Sequence, residues 1–414
     1  MINKFIFVVV CALTVLVGCS DKEVGTALPA VGGVVFSRPV VEQQQSRAVG
    51  EIATYPKSER FIVSALATKG DYAAWNDSNA ILYMDNVEVM YDTALNGWAS
   101  ATPYYWLYDY KLTFSAFSPA RLPDAKYTDA VDYDQQGLRI TNFKVPEKGY
   151  QLSTSADKTE DQVTDPALKM DHQFDLLYSE RAYNKVSANS TTGQTSPQYN
   201  GVDLRFHHAL TSVRFTIKVE ASVSEIYKLV DVRLNNIANV GSFAENITSD
   251  NPYTAAPAWT LAETTISGTL MTTSFDAFDQ PNKNIGTADA PVWEPVPLQL
   301  EKGKVIPLPR LKDATKSAPA YPDEEVWGKG RDFIMLPQIF INEAQNLELT
   351  FLMSTPADRT RFITQKHQVS FMDITPEATW KMGYRYTYNI VIDPQKISFT
   401  TTLDKWGAVP GGDI

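Results

Sequence analysis

Tyr384-Arg385-Tyr386-Thr387-Tyr388-Asn389-Ile390-Val391-Ile392 alternates without interruption. Tyr384, Tyr386, Tyr388, Ile390 and Ile392 fall on one face of an extended chain, and Arg385, Thr387, Asn389 and Asp393 on the other. A period of two is that of a strand with one side against a core. The same rhythm recurs upstream. Val230, Val232 and Leu234 alternate with Asp231, Arg233 and Asn235, and Leu347, Leu349, Phe351 and Met353 share a face, as do Ile397, Phe399 and Leu403. Val202, Leu204, Phe206, His208 and Leu210 have one parity, whereas Val213, Phe215, Ile217 and Val219 have the other. That switch predicts a bulge or bend near Thr211-Ser212. No segment carries a helical stripe over three turns, and the brief candidates at 222–228 and 377–380 are too short to define a fold. Short strands between turn signals suit sandwiches. With no regular crossover helices for parallel pairing, the expected fold is all-β with antiparallel sheets. No short fixed repeat is visible, which argues against a solenoid or propeller.

The opposite end of the chain gives its address. Lys4 and the apolar run Phe5 to Val17 precede Leu16-Val17-Gly18-Cys19-Ser20. A run of about thirteen apolar residues fits a signal-peptide core but falls short of the roughly twenty of a spanning helix. The site resembles a bacterial lipobox: cleavage between Gly18 and Cys19 and lipidation of Cys19 are expected, giving an exported, lipid-anchored protein. Cys11 lies in the leader, so the mature chain has one cysteine. Disulfides and thiolate metal sites are excluded, and the core alone must stabilise the fold.

Composition narrows the function classes. A net charge of −11 argues against nucleic acid as a partner, since phosphate binding needs a concentrated basic face. Aromatic content of 11% favours the pleated, half-buried surface of strands. Catalytic motifs are missing: there is no His-Glu-x-x-His, Gly-x-Ser-x-Gly or phosphate loop, so no enzyme and no cofactor are expected. Gly328-Lys329-Gly330 reads as a turn. His207 and His208, adjacent on a strand, point to opposite faces and cannot share a metal, and His208 reads as a core histidine. Asp132-Tyr133-Asp134-Gln135-Gln136-Gly137 reads as an acidic turn rather than a calcium loop, and no metal is expected. Trp75, Trp98, Trp106, Trp259, Trp293 and Trp327 either fill the core or offer flat faces to sugar rings.

Val34-Val35-Phe36 is an isolated strand-like cluster, followed by polar Glu42-Gln43-Gln44-Gln45-Ser46-Arg47. Arg47 before small Ala48 is the better candidate for a trypsin-like cut, because Pro39 follows Arg38.

Together the landmarks resemble the fimbrillin (Mfa-like) lipoproteins. They are Phe61-Ile62-Val63-Ser64-Ala65, Pro103-Tyr104-Tyr105-Trp106, Leu112-Thr113-Phe114-Ser115-Ala116-Phe117-Ser118-Pro119 and Asp175-Leu176-Leu177-Tyr178. Leu204-Arg205-Phe206-His207-His208-Ala209-Leu210, Val232-Arg233-Leu234-Asn235-Asn236-Ile237, the run Trp380 to Asn389, and Trp406 complete the set. The resemblance implies two transthyretin-like antiparallel β-sandwich domains that build type V pili on the surface of Bacteroides-group bacteria. The implied division is a signal peptide at 1–18, a lipidated segment with a removable strand at 19–47, and sandwiches at 48–221 and 222–414. It implies protease-triggered strand exchange with other pilus subunits or with itself. The cut falls at Arg47, the strand lost is Val34, Val35 and Phe36, and the natural donor is Ile397, Phe399 and Leu403. Adhesion to a host protein or glycan is a further implied role. The alternative is an anchored glycan-binding lipoprotein that does not polymerise.

Overall fold

The computed structural model describes residues 33–37, 39–42, 52–70, 80–107, 109–120, 122, 127–134, 136–145, 175–186, 201–248, 255–262, 273–276, 282–284, 293–295, 297–308 and 333–406. Cys19, Arg47, Ala48, Trp75, Trp327 and the turn at 328–330 lie outside them. The protein is nearly all β, as its alternation predicts.

A nine-stranded sheet runs in the order Ile52–Thr54, Val40–Glu42, Arg205–His208, Leu177–Ser179, Lys111–Ser118, Phe61–Thr68, Ala80–Asp92 and Gly97–Ser100, and Ala182–Lys185 also pairs Lys111–Ser118. All eight residues of Phe61–Thr68 are buried, so this sheet is covered on both faces. Phe61, Val63, Ala65 and Ala67 enter a smaller aromatic core with Phe36, Tyr55, Trp98, Phe114 and Phe206. Ile62 and Leu66 enter a larger core shared with Leu138, Ile140 and Phe143.

Those last three belong to a four-stranded sheet ordered Ala258–Leu261, Val240–Ala244, Gly137–Lys144, Ala130–Asp134. It crosses the sequence boundary expected near Ala221, because Val240–Ala244 pairs with Gly137–Lys144. Between it and the nine-stranded sheet lies a buried ion pair. Arg181 Nη2 stands 3.3 Å from Glu245 Oε2, both side chains 1% exposed. Glu245 also accepts from the Leu138 N–H (2.8 Å) and the Ser115 hydroxyl (3.4 Å). Burial pushes the Glu245 carboxyl up, and Arg181 and these hydrogen bonds oppose the shift.

Two five-stranded sheets form the C-terminal sandwich. One runs Val305–Leu308, Thr211–Val219, Tyr384–Ile392, Ile397–Lys405, with Phe333–Met335 also on Thr211–Val219. The other runs Thr273–Asp276, Tyr227–Ile237, Asn346–Ser354, Phe362–Ser370, with Leu298–Gln299 also on Tyr227–Ile237. Tyr386, Tyr388, Ile390 and Ile392 are buried, on the face the alternation assigns to the core.

Four details differ from the sequence reading. First, the parity switch near Thr211-Ser212 is a change of sheet: Arg205–His208 sits in the nine-stranded sheet and Thr211–Val219 in the C-terminal sandwich. Second, Thr211–Val219 pairs parallel with Tyr384–Ile392, from Ser212↔Arg385 to Val219↔Ile392. Parallel partners need a long connection but not a helical one, and a whole second sheet serves here. Third, Val230 is the extra residue of a bulge between Leu229↔Phe351 and Asp231↔Thr350, so Leu229, rather than Val230, joins Val232 and Leu234 in the core. Fourth, 222–228 is not helical, ending in the first residues of the strand Tyr227–Ile237, whereas the candidate at 377–380 overlaps the single turn Pro376–Ala378, which follows another turn at Phe371–Ile374.

Several bulges share one construction. Asn86, Asn142 and Asn184 adopt left-handed backbone with φ near 50°, a conformation Asn tolerates better than most residues. Each donates its N–H to a hydroxyl on the neighbouring strand: Ser64 (3.0 Å), Ser242 (3.0 Å) and Thr113 (3.2 Å) respectively.

Candidate assembly site

Val34, Val35 and Phe36 belong to the fold's own core. The segment Gly33 to Ser37 lies between two stretches of the nine-stranded sheet that it would otherwise leave apart. On one side, the Val34 N–H donates to the Tyr104 carbonyl (2.8 Å), and Phe36 and Trp98 exchange both backbone bonds (2.8 Å each). On the other, the Val202 N–H donates to the Val35 carbonyl (2.7 Å) and the Ser37 N–H to the Val202 carbonyl (3.2 Å). The chain continues into Val40–Glu42, which pairs parallel with Arg205–Phe206 and antiparallel with Ile52–Thr54. One segment thus satisfies backbone groups on both flanks, as an interior strand does.

Its side chains complete the smaller core. Phe36 is 1% exposed and meets Phe114 and Phe61 edge-on at 5.4 and 6.0 Å between centroids. Val34 and Val41 are buried in the same cluster. Tyr55 meets Phe61 and Trp98 edge-on and Phe206 at a tilt, and its hydroxyl meets Arg60 O (3.0 Å) and Ser118 Oγ (2.7 Å). Burial pushes this phenol well above its ordinary range.

Two glycines flank the segment. A Cβ on Gly97 would stand 2.9 Å from Val35 Cγ1. At Gly201, φ is +94° and a Cβ would stand 2.8 Å from the Val35 carbonyl and 2.9 Å from the Ser37 nitrogen. Glycine is required there both for the backbone and for the close approach of the strand.

The second predicted element behaves differently. Ile397–Lys405 is the edge strand of its sheet and pairs antiparallel with Tyr384–Ile392 along its whole length. Ile397 and Phe399 pack partly against the core, whereas Leu403 is 36% exposed. The structure therefore places the removable-strand and donor-strand candidates in different sheets.

The remaining residues singled out by sequence have structural settings. His207 and His208 face opposite ways, the first half-buried beside Glu180 (2.9 Å), the second buried with Nδ1 2.6 Å from Asp175 Oδ2. Asp134 turns a hairpin, accepting from the Gln136 N–H and pairing with Arg139 at 2.8 Å. Trp98, Trp380 and Trp406 are buried, Trp106 packs on Phe114, and the Trp259 indole donates to the Ala209 carbonyl. The side chain of Trp293 is not among those described. The flanking glycines were missed by sequence reading; Asn96-Gly97 is a turn signal, but nothing local reveals that Val35 packs over it.

The sequence profile of the fimbrillin-like family matches residues 55–406. No curated protein sequence matches the chain. Among solved structures, a fimbrial protein from Bacteroides vulgatus ATCC 8482 is similar at 14% identity and TM-score 0.52, covering 90% of this chain and 100% of its own. A candidate cell adhesion protein from Bacteroides uniformis ATCC 8492 aligns at 13% identity and TM-score 0.42, covering 92% of this chain and 100% of its own. Another from Bacteroides ovatus ATCC 8483 aligns at 12% identity and TM-score 0.43, covering 92% and 99%. The first of these likenesses bears on fold alone. The profile, running from Tyr55 in the aromatic core to Trp406 at the end of the last strand, carries the assignment: this chain belongs to the fimbrillin-like family.

Proposed function

We propose that this protein is a structural or adhesive pilus subunit, carried to the outer membrane as a lipoprotein on Cys19 and assembled by strand exchange. The observation that supports this reading is the seat of residues 33–42. Within it Val34, Val35, Phe36 and Val41 are buried, the backbone is bonded on both flanks, and the chain reaches Ile52 only through residues 43–51, which contain Arg47. A cut between Arg47 and Ala48 breaks the covalent link while leaving every contact of the seat intact. Departure of the severed strand then uncovers unpaired backbone groups and a groove lined by Phe61, Trp98, Phe114 and Phe206. Such an edge accepts an extended strand from another chain. The partner is a further pilus subunit or a second copy, with Ile397, Phe399 and Leu403 as the candidate donor.

Sequencing the N-terminus of protein collected from the cell surface tests the reading. Ala48 as the first residue and no lipid is the expected result, and Arg47→Ala protein should remain unpolymerised. Surface polymers in which every subunit retains lipidated Cys19 would overturn the exchange mechanism. A role in binding host protein or glycan belongs to the same proposal, with a soluble subunit and a broad glycan panel as its measurement.

A further inference from the structure

The C-terminal edge strand is weakly seated along its length and firmly seated at its end. None of the nine residues of Ile397–Lys405 is fully buried, and Thr400, Thr402, Leu403, Asp404 and Lys405 are exposed. Its ladder lies on one side only. The next residue is the exception: Trp406 is 1% exposed and stacks on His208 at 4.3 Å between centroids and 15° between planes. The Trp406 N–H donates to the Gly383 carbonyl (2.8 Å), and the Gly383 N–H donates to the Leu210 carbonyl (2.9 Å). His208 belongs to the nine-stranded sheet, so the indole pins the last strand of one sheet onto the end of another.

The socket is also imperfectly satisfied. Asp175 Oδ1, His208 Nε2 and Trp406 Nε1 are buried and have no hydrogen-bond partner among the described residues. Asp175 and His208 use their other atoms on each other at 2.6 Å. A buried polar atom without a protein partner holds its side chain less firmly than a satisfied one.

We infer that Trp406 is a releasable plug, and that its withdrawal from the Asp175–His208 socket frees Ile397–Lys405 as a unit while the rest of the sandwich stays folded. The purpose of this latch rests on the strand-exchange reading, in which it liberates the donor. The latch itself is a property of the isolated subunit.

Hydrogen exchange of the full, unprocessed monomer, read by mass spectrometry, tests it independently of any polymer. In Trp406→Ala, amides of 397–405 should exchange about a hundredfold faster or more, given the usual cost of deleting a buried Trp. Thr211–Val219 should keep its protection. Trp406→Phe, which retains an aromatic ring in the socket, should stay within a few-fold of the parent. Trp406→Leu serves if the alanine variant does not fold, and should accelerate the same strand to a smaller degree. Unchanged exchange at 397–405, or equal loss of protection at 211–219, overturns the latch. Failure to polymerise with the latch behaviour intact would count against strand exchange alone.

Discussion

Gly97 and Val35 provide the sharpest test of how the closing strand is seated. A Cβ at position 97 would lie 2.9 Å from Val35 Cγ1, while its other close neighbours, the carbonyls of Phe36 and Leu95, stand at 3.5 and 3.7 Å. The clash is therefore with one methyl group of the 33–37 segment. Overpacking of this kind costs about 1–3 kcal/mol, so Gly97→Ala should destabilise by that amount. Val35→Ala alone removes two buried methyl-sized groups, about 1–2 kcal/mol at roughly 0.8 kcal/mol each. The two changes should not add. Once Val35 is alanine the offending methyl is gone, and alanine at 97 should be close to neutral, helped by a less flexible unfolded chain. Equilibrium urea unfolding of the four proteins closes the cycle, with an expected coupling of about 1–3 kcal/mol, the whole cost of the single glycine change. Simple additivity would refute the packing of Val35 against Gly97. Protein cut after Arg47 and stripped of its segment gives a second reading, because there Gly97→Ala has nothing to strike.

Two further outcomes follow from buried groups. Arg181→Met leaves the Glu245 carboxyl buried without its cation and should destabilise by about 3–5 kcal/mol in the same denaturation assay, whereas the Arg181→Met/Glu245→Leu pair should lose much less. High pH should unfold the protein through its phenols. Burial pushes Tyr386 up to about 12 and holds Tyr55 and Tyr388 higher still, all above the unfolded value of 10.0. Their contribution is complete below pH 10.0 and is lost as pH rises toward the folded values, so phenolate absorbance should appear together with loss of β circular dichroism.

Some of this architecture was legible in the residues alone. Tyr386, Tyr388, Ile390 and Ile392 reach the core as their spacing demands, because one strand face against one core is a local matter. Leu229 and Val230 exchange places because a bulge is set by the partner strand, here at Phe351 and Thr350, which a period of two cannot contain. The stretch from Val202 to Val219 reads as one bent strand because alternation resumes, with its parity switched, only three residues after Leu210, although the chain changes sheets at Ala209-Leu210. At the candidate assembly site, the Val34-Val35-Phe36 cluster is visible as an apolar island. Its seat was not, since Tyr104, Trp98 and Val202 come from distant parts of the chain.

The parallel ladder at the heart of the C-terminal sandwich has a consequence for how the molecule comes into being. Thr216 and Asn389, partners in it, are 173 positions apart, and every other pair keeps that separation. Contacts so remote bring no stabilisation until the loop between them has been closed, which slows folding. Thr211–Val219 must therefore wait for Tyr384–Ile392 to be synthesised before its sheet has a centre. A growing chain that has not reached Tyr384 contains Val305–Leu308 and Phe333–Met335, the antiparallel partners of Thr211–Val219, but neither the parallel ladder nor the edge strand Ile397–Lys405. The subunit is in this sense finished from its end, and its last strands decide when it becomes a folded body at all.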